Sequence, residues 1–183
     1  MANTGWTLGG TALNVNDGGI IAWTNVNNVL VDTTSSSTAT TTSSFDDTQI
    51  LRVTNFGFAI PSDATINGVM FKFRRRSSTA NDVRDDTIQL VLSGTPVGAN
   101  KATASFWPST NSTPEYGGAA DTWTWAGISV ANINNSAFGI NIKAFDDASG
   151  TDTLNIEAVW LDIYYTPVGG GAVSSSKSMM MMF

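Results

Sequence analysis

Four aromatic side chains lie close together in the sequence, in and just after one long polar segment. They are Trp107, Tyr116, Trp123 and Trp125. Exposed aromatic rings stack on the apolar faces of sugars, so these residues are candidates for a glycan-binding face. The alternative is that they cover the open end of a hydrophobic core. Packing is the favoured interpretation, because tryptophan buries a large area and usually does so within a core.

Acidic residues concentrate in two short segments, and carboxylate oxygens are ligands that Ca²⁺ prefers. The candidates are Asp82, Asp85, Asp86, Asp146, Asp147 and Asp152. Their spacing does not match an EF-hand, and Asp is common in turns because it bonds its own backbone, so we predict no metal and no other cofactor. The same acids, or Glu115 and Glu157, could supply a glycosidase pair, but nothing marks any two of them as partners.

The composition excludes several kinds of chemistry. The 183 residues contain no cysteine and no histidine, which removes disulfides, thiolate metal sites and Ser–His or Cys–His nucleophiles. A net charge of −6 argues against nucleic-acid binding. No apolar run reaches the roughly 18 residues of a membrane span, and the N-terminus lacks the features of a secretory signal. We therefore predict a non-enzymatic protein made in the cytoplasm, with no nucleic-acid or membrane partner.

Strands must position these side chains, because apolar and polar residues alternate along several segments. In segment 66–76, Val69, Phe71 and Phe73 alternate with Met70, Lys72 and Arg74. This period of two indicates a strand with one apolar face. It recurs at 88–92, 138–144 and 159–165, and Trp123 and Trp125 flank Thr124 with the same spacing. The run Arg74–Arg76 is expected to pair locally with Asp82, Asp85 or Asp86, or to stay solvated.

No segment shows sustained helical periodicity, and Gly, Pro and Asn separate the short apolar runs. We therefore predict an all-β chain that forms an antiparallel β-sandwich (jelly-roll-like) with an extended C-terminal tail. The predicted organisation is an N-terminal arm at 1–19, the sandwich at 20–167 and, at 168–183, a Gly/Ser tether with a Met-rich anchoring peptide.

Several motifs occur together in a characteristic order. They are TNFGFAIP (54–61), ATINGV (64–69), VGANKA (97–102), WP (107–108), YGG (116–118), NSAFGI (135–140) and VWLDIYYT (159–166). Over residues 20–167 this pattern resembles a β-sandwich domain that recurs in structural proteins of tailed phages and prophages and in some bacterial surface proteins. The resemblance implies a structural or adhesive role on a virion and supplies no catalytic residues.

The composition changes after Pro167. Three glycines at 169–171 and a Ser-rich spacer precede a terminal apolar peptide: Met179, Met180, Met181, Met182 and Phe183. Gly/Ser segments are flexible linkers, and methionine fills irregular grooves, so this peptide is predicted to anchor the protein in a partner surface. The alternative is a frayed chain end.

The sequence thus predicts a non-enzymatic virion structural protein, either a capsid decoration or head fibre or a tail-associated protein. Its C-terminal tail would attach it to other virion proteins, such as the major capsid or tail proteins, or to sister copies in a homo-oligomer. The alternative function is a carbohydrate-binding or adhesion module for host-surface glycans. Binding would then use Trp107, Trp123 and Trp125.

Overall fold

Two antiparallel β-sheets dominate the computed structural model, which describes residues 1–42 and 45–168. Sheet A contains strands β1 (Ala2–Asn3), β2 (Thr7–Leu8), β4 (Ser37–Thr40), β6 (Thr65–Ser77), β9 (Glu115–Gly117) and β11 (Thr153–Thr166). Sheet B contains β3 (Thr11–Val15), β5 (Ile50–Thr54), β7 (Val83–Leu92), β8 (Thr95–Val97) and β10 (Phe138–Asp146). The predicted all-β class and antiparallel sandwich are confirmed.

The long strands β6 and β11 form the centre of sheet A. Their register pairs Phe73 with Val159 and Phe71 with Leu161, and all four side chains are fully buried. The intervening residues, including Lys72, point to the other side of the sheet. The alternation in the sequence therefore predicted both the strand and its inward face, because successive side chains on a strand point to opposite faces.

Sheet B is ordered β3-β5-β10-β7-β8 and packs its apolar face against sheet A. On the central strand, Phe138, Ile140, Ile142 and Ala144 are buried and point inward. The residues that alternate with them, such as Lys143 and Phe145, point outward. The outer face of sheet B is therefore a surface on which side chains from neighbouring strands stand in rows.

The segment predicted as an N-terminal arm belongs to the sandwich. Strands β1 and β2 pair with β11, and β3 pairs with β5. Asn3 and Thr4 also donate hydrogen bonds to the Asp162 carboxylate, at 3.0 and 3.2 Å. The sandwich therefore begins at Ala2 instead of residue 20. The arm prediction missed this because short strands that pair through their backbones show little apolar alternation.

Helical structure in the described residues is short. A 3₁₀ helix spans Val26–Leu30, and α1 spans Val130–Ile133 with Ser129 as its N-cap. No helix in the described ranges has the length and apolar character needed to span a membrane. The tether and the anchoring peptide, Met179, Met180, Met181, Met182 and Phe183, lie outside the described residues.

Candidate functional site

Two of the four predicted glycan-binding aromatics are buried around one carboxylate. Asp85 is 2% exposed and points inward from β7. The Trp107 indole Nε1 donates to Asp85 Oδ1 at 2.9 Å, and the Tyr116 hydroxyl donates to Asp85 Oδ2 at 2.8 Å. Both rings are therefore internal donors to a buried charge and cannot stack on a sugar, so the favoured packing interpretation holds for Trp107 and Tyr116 and their possible glycan-binding role is wrong.

The positive partner of Asp85 is Arg75, which points inward from β6 and is 3% exposed. Its guanidinium also lies 5.0 Å from the ring centroids of both Phe73 and Trp107. Burial, and next the charge of Asp85, raises the pKa of the Tyr116 hydroxyl, so this group stays a neutral donor. The expected local pairing of the arginine run is confirmed at Arg75. Arg75, Trp107 and Tyr116 form a cluster around Asp85, and this Asp85 cluster connects the segment carrying Trp107 to both sheets.

Trp123 is fully buried and lies in a turn, although its spacing from Trp125 suggested a strand. Its indole Nε1 donates to the Val69 carbonyl at 2.9 Å. Trp123 and Thr124 both have left-handed backbones, with φ of 57° and 54°. A Cβ at Gly117 would lie 2.5 Å from Trp123 Nε1, so only glycine fits beside the indole. Trp125 is partly exposed and stacks on Phe138 with centroids 6.2 Å apart.

The turn before Trp123 depends on an ionised carboxylate. Burial works against the charge of Asp121, but hydrogen bonds from Lys101 Nζ at 2.7 Å and from the Trp123 amide outweigh it and lower the pKa of Asp121. A carboxylate whose pKa is lower in the folded state than in the unfolded state stabilises the fold at pH values above the unfolded-state pKa. This stabilisation is lost as the pH falls through the folded-state pKa.

We therefore expect acid unfolding of the wild type to lose this contribution below about pH 3.9, the usual Asp pKa. Asp121→Asn should flatten that part of the stability–pH curve. Chemical denaturation at a series of acidic pH values measures it, and an unchanged slope in Asp121→Asn would contradict the assignment.

The acidic residues considered as Ca²⁺ ligands bond other partners instead. Asp152 accepts hydrogen bonds from Ser78 and Ser77, and Asp146 accepts one from Thr41 at 2.6 Å. Within residues 1–42 and 45–168, no three acidic side chains are grouped so that they could hold a metal ion. Among the predicted glycosidase candidates, Glu157 is buried and accepts from Asn111, whereas Glu115 is exposed on β9.

An exposed row of aromatic side chains crosses the outer face of sheet B. The register pairs Phe145 of β10 with Arg84 of β7, and Arg84 with Phe106 of the adjoining segment. Directly paired residues share a face, and the neighbouring Val83 and Ala144 are fully buried, so the row faces outward. Phe45 extends it, with its ring centroid 6.2 Å from that of Phe145. We call Phe45, Phe145, Arg84 and Phe106 the aromatic row.

The rings of the aromatic row differ in their accessibility. Phe45 is 68% exposed and Phe106 is 41% exposed, whereas Phe145 is half-buried. The Arg84 guanidinium lies 4.7 Å from the Phe145 centroid and covers one face of that ring. Phe45 also has a left-handed backbone with φ of 65°, which is unfavourable for a bulky residue. A strained backbone thus holds an exposed ring.

Charged groups flank the aromatic row in hydrogen-bonded pairs. Arg84 Nε lies 2.5 Å from Asp147, and the hydrogen bond that Arg84 donates to this carboxylate is the main cause of the raised Arg84 pKa. Lys143 Nζ lies 3.1 Å from Asp17 and 3.5 Å from Asp47. Burial lowers the pKa of Lys143, but these carboxylates more than offset it, so the net shift is upward. Both cations therefore stay charged and already have acidic partners.

Sequence reasoning missed the aromatic row because its members are far apart in the chain. Phe45 follows a Thr/Ser tract, and Phe106 lies in a polar segment just before Trp107. A large aromatic residue isolated in polar surroundings was the available signal. The row becomes recognisable only through strand register, which brings positions 84, 106 and 145 side by side.

The outer face of sheet A also carries aromatic rings, but they are already covered. Lys72 Nζ lies 4.1 Å from the Trp6 centroid and 5.2 Å from that of Trp160. Trp160 is 8% exposed, and the guanidinium of Arg74, two residues after Lys72 on β6, also lies over its ring. These cations cover one face of each ring, and both rings are less exposed than Phe45.

No protein-family model matches the chain, and no curated protein matches it. Similar solved structures include one described as "CBM4 structure and function", with 15% identity, coverage of 87% of this chain and 94% of that chain, and a TM-score of 0.40. The family 11 carbohydrate-binding module from Clostridium thermocellum, in complex with a β-1,3-1,4-mixed-linked tetrasaccharide, has 12% identity, coverage of 91% and 92%, and a TM-score of 0.40. A non-crystalline cellulose specific module, CBM28, has 12% identity, coverage of 88% and 98%, and a TM-score of 0.39. At such low identities and TM-scores, function has to be inferred from the residues of this chain.

Proposed function

We propose that the protein is a non-catalytic carbohydrate-binding domain whose binding surface is the aromatic row. The observation that carries this proposal is the pair of exposed rings, Phe45 and Phe106, held beside hydrogen-bonding charges on the outer face of sheet B. Large aromatic side chains gain much free energy from burial, so a row of them that includes two exposed rings is typical of a binding surface.

The chemistry of the aromatic row suits a sugar. A pyranose ring has an apolar face of C–H groups, which are attracted to the negative face of an aromatic ring. Its hydroxyls can donate to the carboxylates of Asp147 and Asp47, and such charge-assisted hydrogen bonds are among the stronger ones. The distance from Phe145 across Arg84 to Phe106 is two strand spacings, roughly 10 Å. A short oligosaccharide can therefore contact more than one ring.

Binding to a panel of immobilised oligosaccharides, followed by calorimetry, tests this proposal. The double variant Phe45→Ala, Phe106→Ala should weaken binding by about tenfold or more per ring, which corresponds to about 1.5 kcal/mol per stacking contact. Val31→Ala is the control, because Val31 is 48% exposed and follows the 3₁₀ helix, outside the aromatic row. Unchanged affinity in the double variant would refute the role of the row.

We also propose that this domain functions on a virion, to which the C-terminal peptide attaches it. Support comes from the motif pattern over 20–167 and from the apolar peptide Met179–Phe183. The two proposals are compatible, since a virion protein can present an adhesive surface. Deleting residues 172–183 should abolish incorporation into particles and leave glycan binding intact, and normal incorporation of the truncated chain would contradict the attachment role.

A further inference from the structure

The aromatic row stands in a locally negative field. The two cations on this surface are Arg84, which belongs to the row, and Lys143, which flanks it. Four carboxylates act on them by contact or through space: Asp17, Asp47, Asp86 and Asp147. The local balance is therefore two negative charges in excess, on a chain whose net charge is −6.

The cations of this surface are not available to an anionic ligand. Arg84 is hydrogen-bonded to Asp147 and lies over the Phe145 ring. Lys143 is 13% exposed and lies between Asp17 and Asp47. A carboxylate or sulfate on a sugar would have to displace these partners, whereas an ammonium group would meet carboxylates that retain free lone pairs.

We infer that the aromatic row selects glycans by charge and binds amino sugars in their ammonium form more tightly than neutral sugars, and neutral sugars more tightly than uronic acids. This inference rests on the proposed function and adds the chemical class of ligand. Two unbalanced charges about 10 Å from a sugar ammonium in water change its affinity roughly threefold at low salt. The effect is electrostatic, so salt should screen it.

Three oligosaccharides of equal length test the inference by calorimetry on the whole chain. They are a glucosamine oligomer below its amine pKa, its N-acetylated neutral counterpart and an oligogalacturonate. We expect affinity to fall in that order, with about threefold between the first two. High salt should reduce the difference in affinity between the first two oligosaccharides. This comparison uses the wild-type protein alone.

The double variant Asp17→Asn, Asp86→Asn removes the excess charge and leaves every ring of the row in place. We expect it to bind the ammonium and neutral oligomers with nearly equal affinity. Binding of all three oligosaccharides with equal affinity by the wild type, or tightest binding of the uronate, would overturn the inference and leave the proposed function standing. Failure of all three to bind would overturn both.

Discussion

Asp85→Asn should lower the free energy of unfolding by about 3–5 kcal/mol, the usual effect of removing one partner from a buried ion pair. The substitution keeps the size of the side chain and removes its charge. Arg75, 3% exposed, would then be a buried cation without its counter-charge. The indole of Trp107 and the hydroxyl of Tyr116 donate to different oxygens of Asp85, and an amide offers only one acceptor oxygen, so one of them would lose its acceptor.

Asp86→Asn is the matched control for this prediction. Asp86 is the next residue in β7, is partly exposed, and has a hydrogen bond from its neighbour Thr87. Its replacement should change stability by less than about 0.5 kcal/mol. Urea denaturation of both variants measures the difference in unfolding free energy. Equal stabilities would show that the Asp85 cluster does not hold the segment carrying Trp107 to the sheets.

Trp123→Ala should destabilise the protein by about 3–5 kcal/mol, as expected for a tryptophan removed from a packed core. The side chain is fully buried, and its loss would also leave the Val69 carbonyl without the indole donor. The left-handed backbone at Trp123 would remain after the compensating contacts had gone.

Trp125→Ala is the comparison variant, because it removes a ring of the same turn and leaves the buried ring of Trp123 in place. Trp125 is partly exposed and has a stacked contact with Phe138, so its loss should destabilise by clearly less than the loss of Trp123. Thermal and chemical denaturation of both variants give the comparison. A larger effect from Trp125 would mean that the packing of this turn has been misassigned.

Strand alternation was sufficient to predict the centre of the sandwich. The residues around Phe71 and Phe73 alternate strictly, and each inward side chain is buried against β11 as the pattern requires. Local patterns of this kind report on the strand that contains them. They predicted the all-β class because most of the core lies on a few long strands with one apolar face.

The candidate site could not be predicted in the same way. Trp107 and Tyr116 are aromatic residues in a polar segment, which is also the context of Phe106. What separates them is the position of Asp85 inside the sandwich, which draws the first two inward. Burial at these positions is set by contacts between residues more than 20 positions apart in the sequence, and composition alone does not reveal such contacts.

We propose that glycans bind on the outer face of sheet B at the aromatic row. Titration of a chitin-derived oligosaccharide into isotope-labelled protein tests it most directly, because NMR shifts locate the ligand residue by residue. We expect saturable shift changes centred on Phe45, Phe145, Arg84 and Phe106. Changes centred on Trp6 and Trp160 of the opposite face, or no saturable change, would contradict the claim.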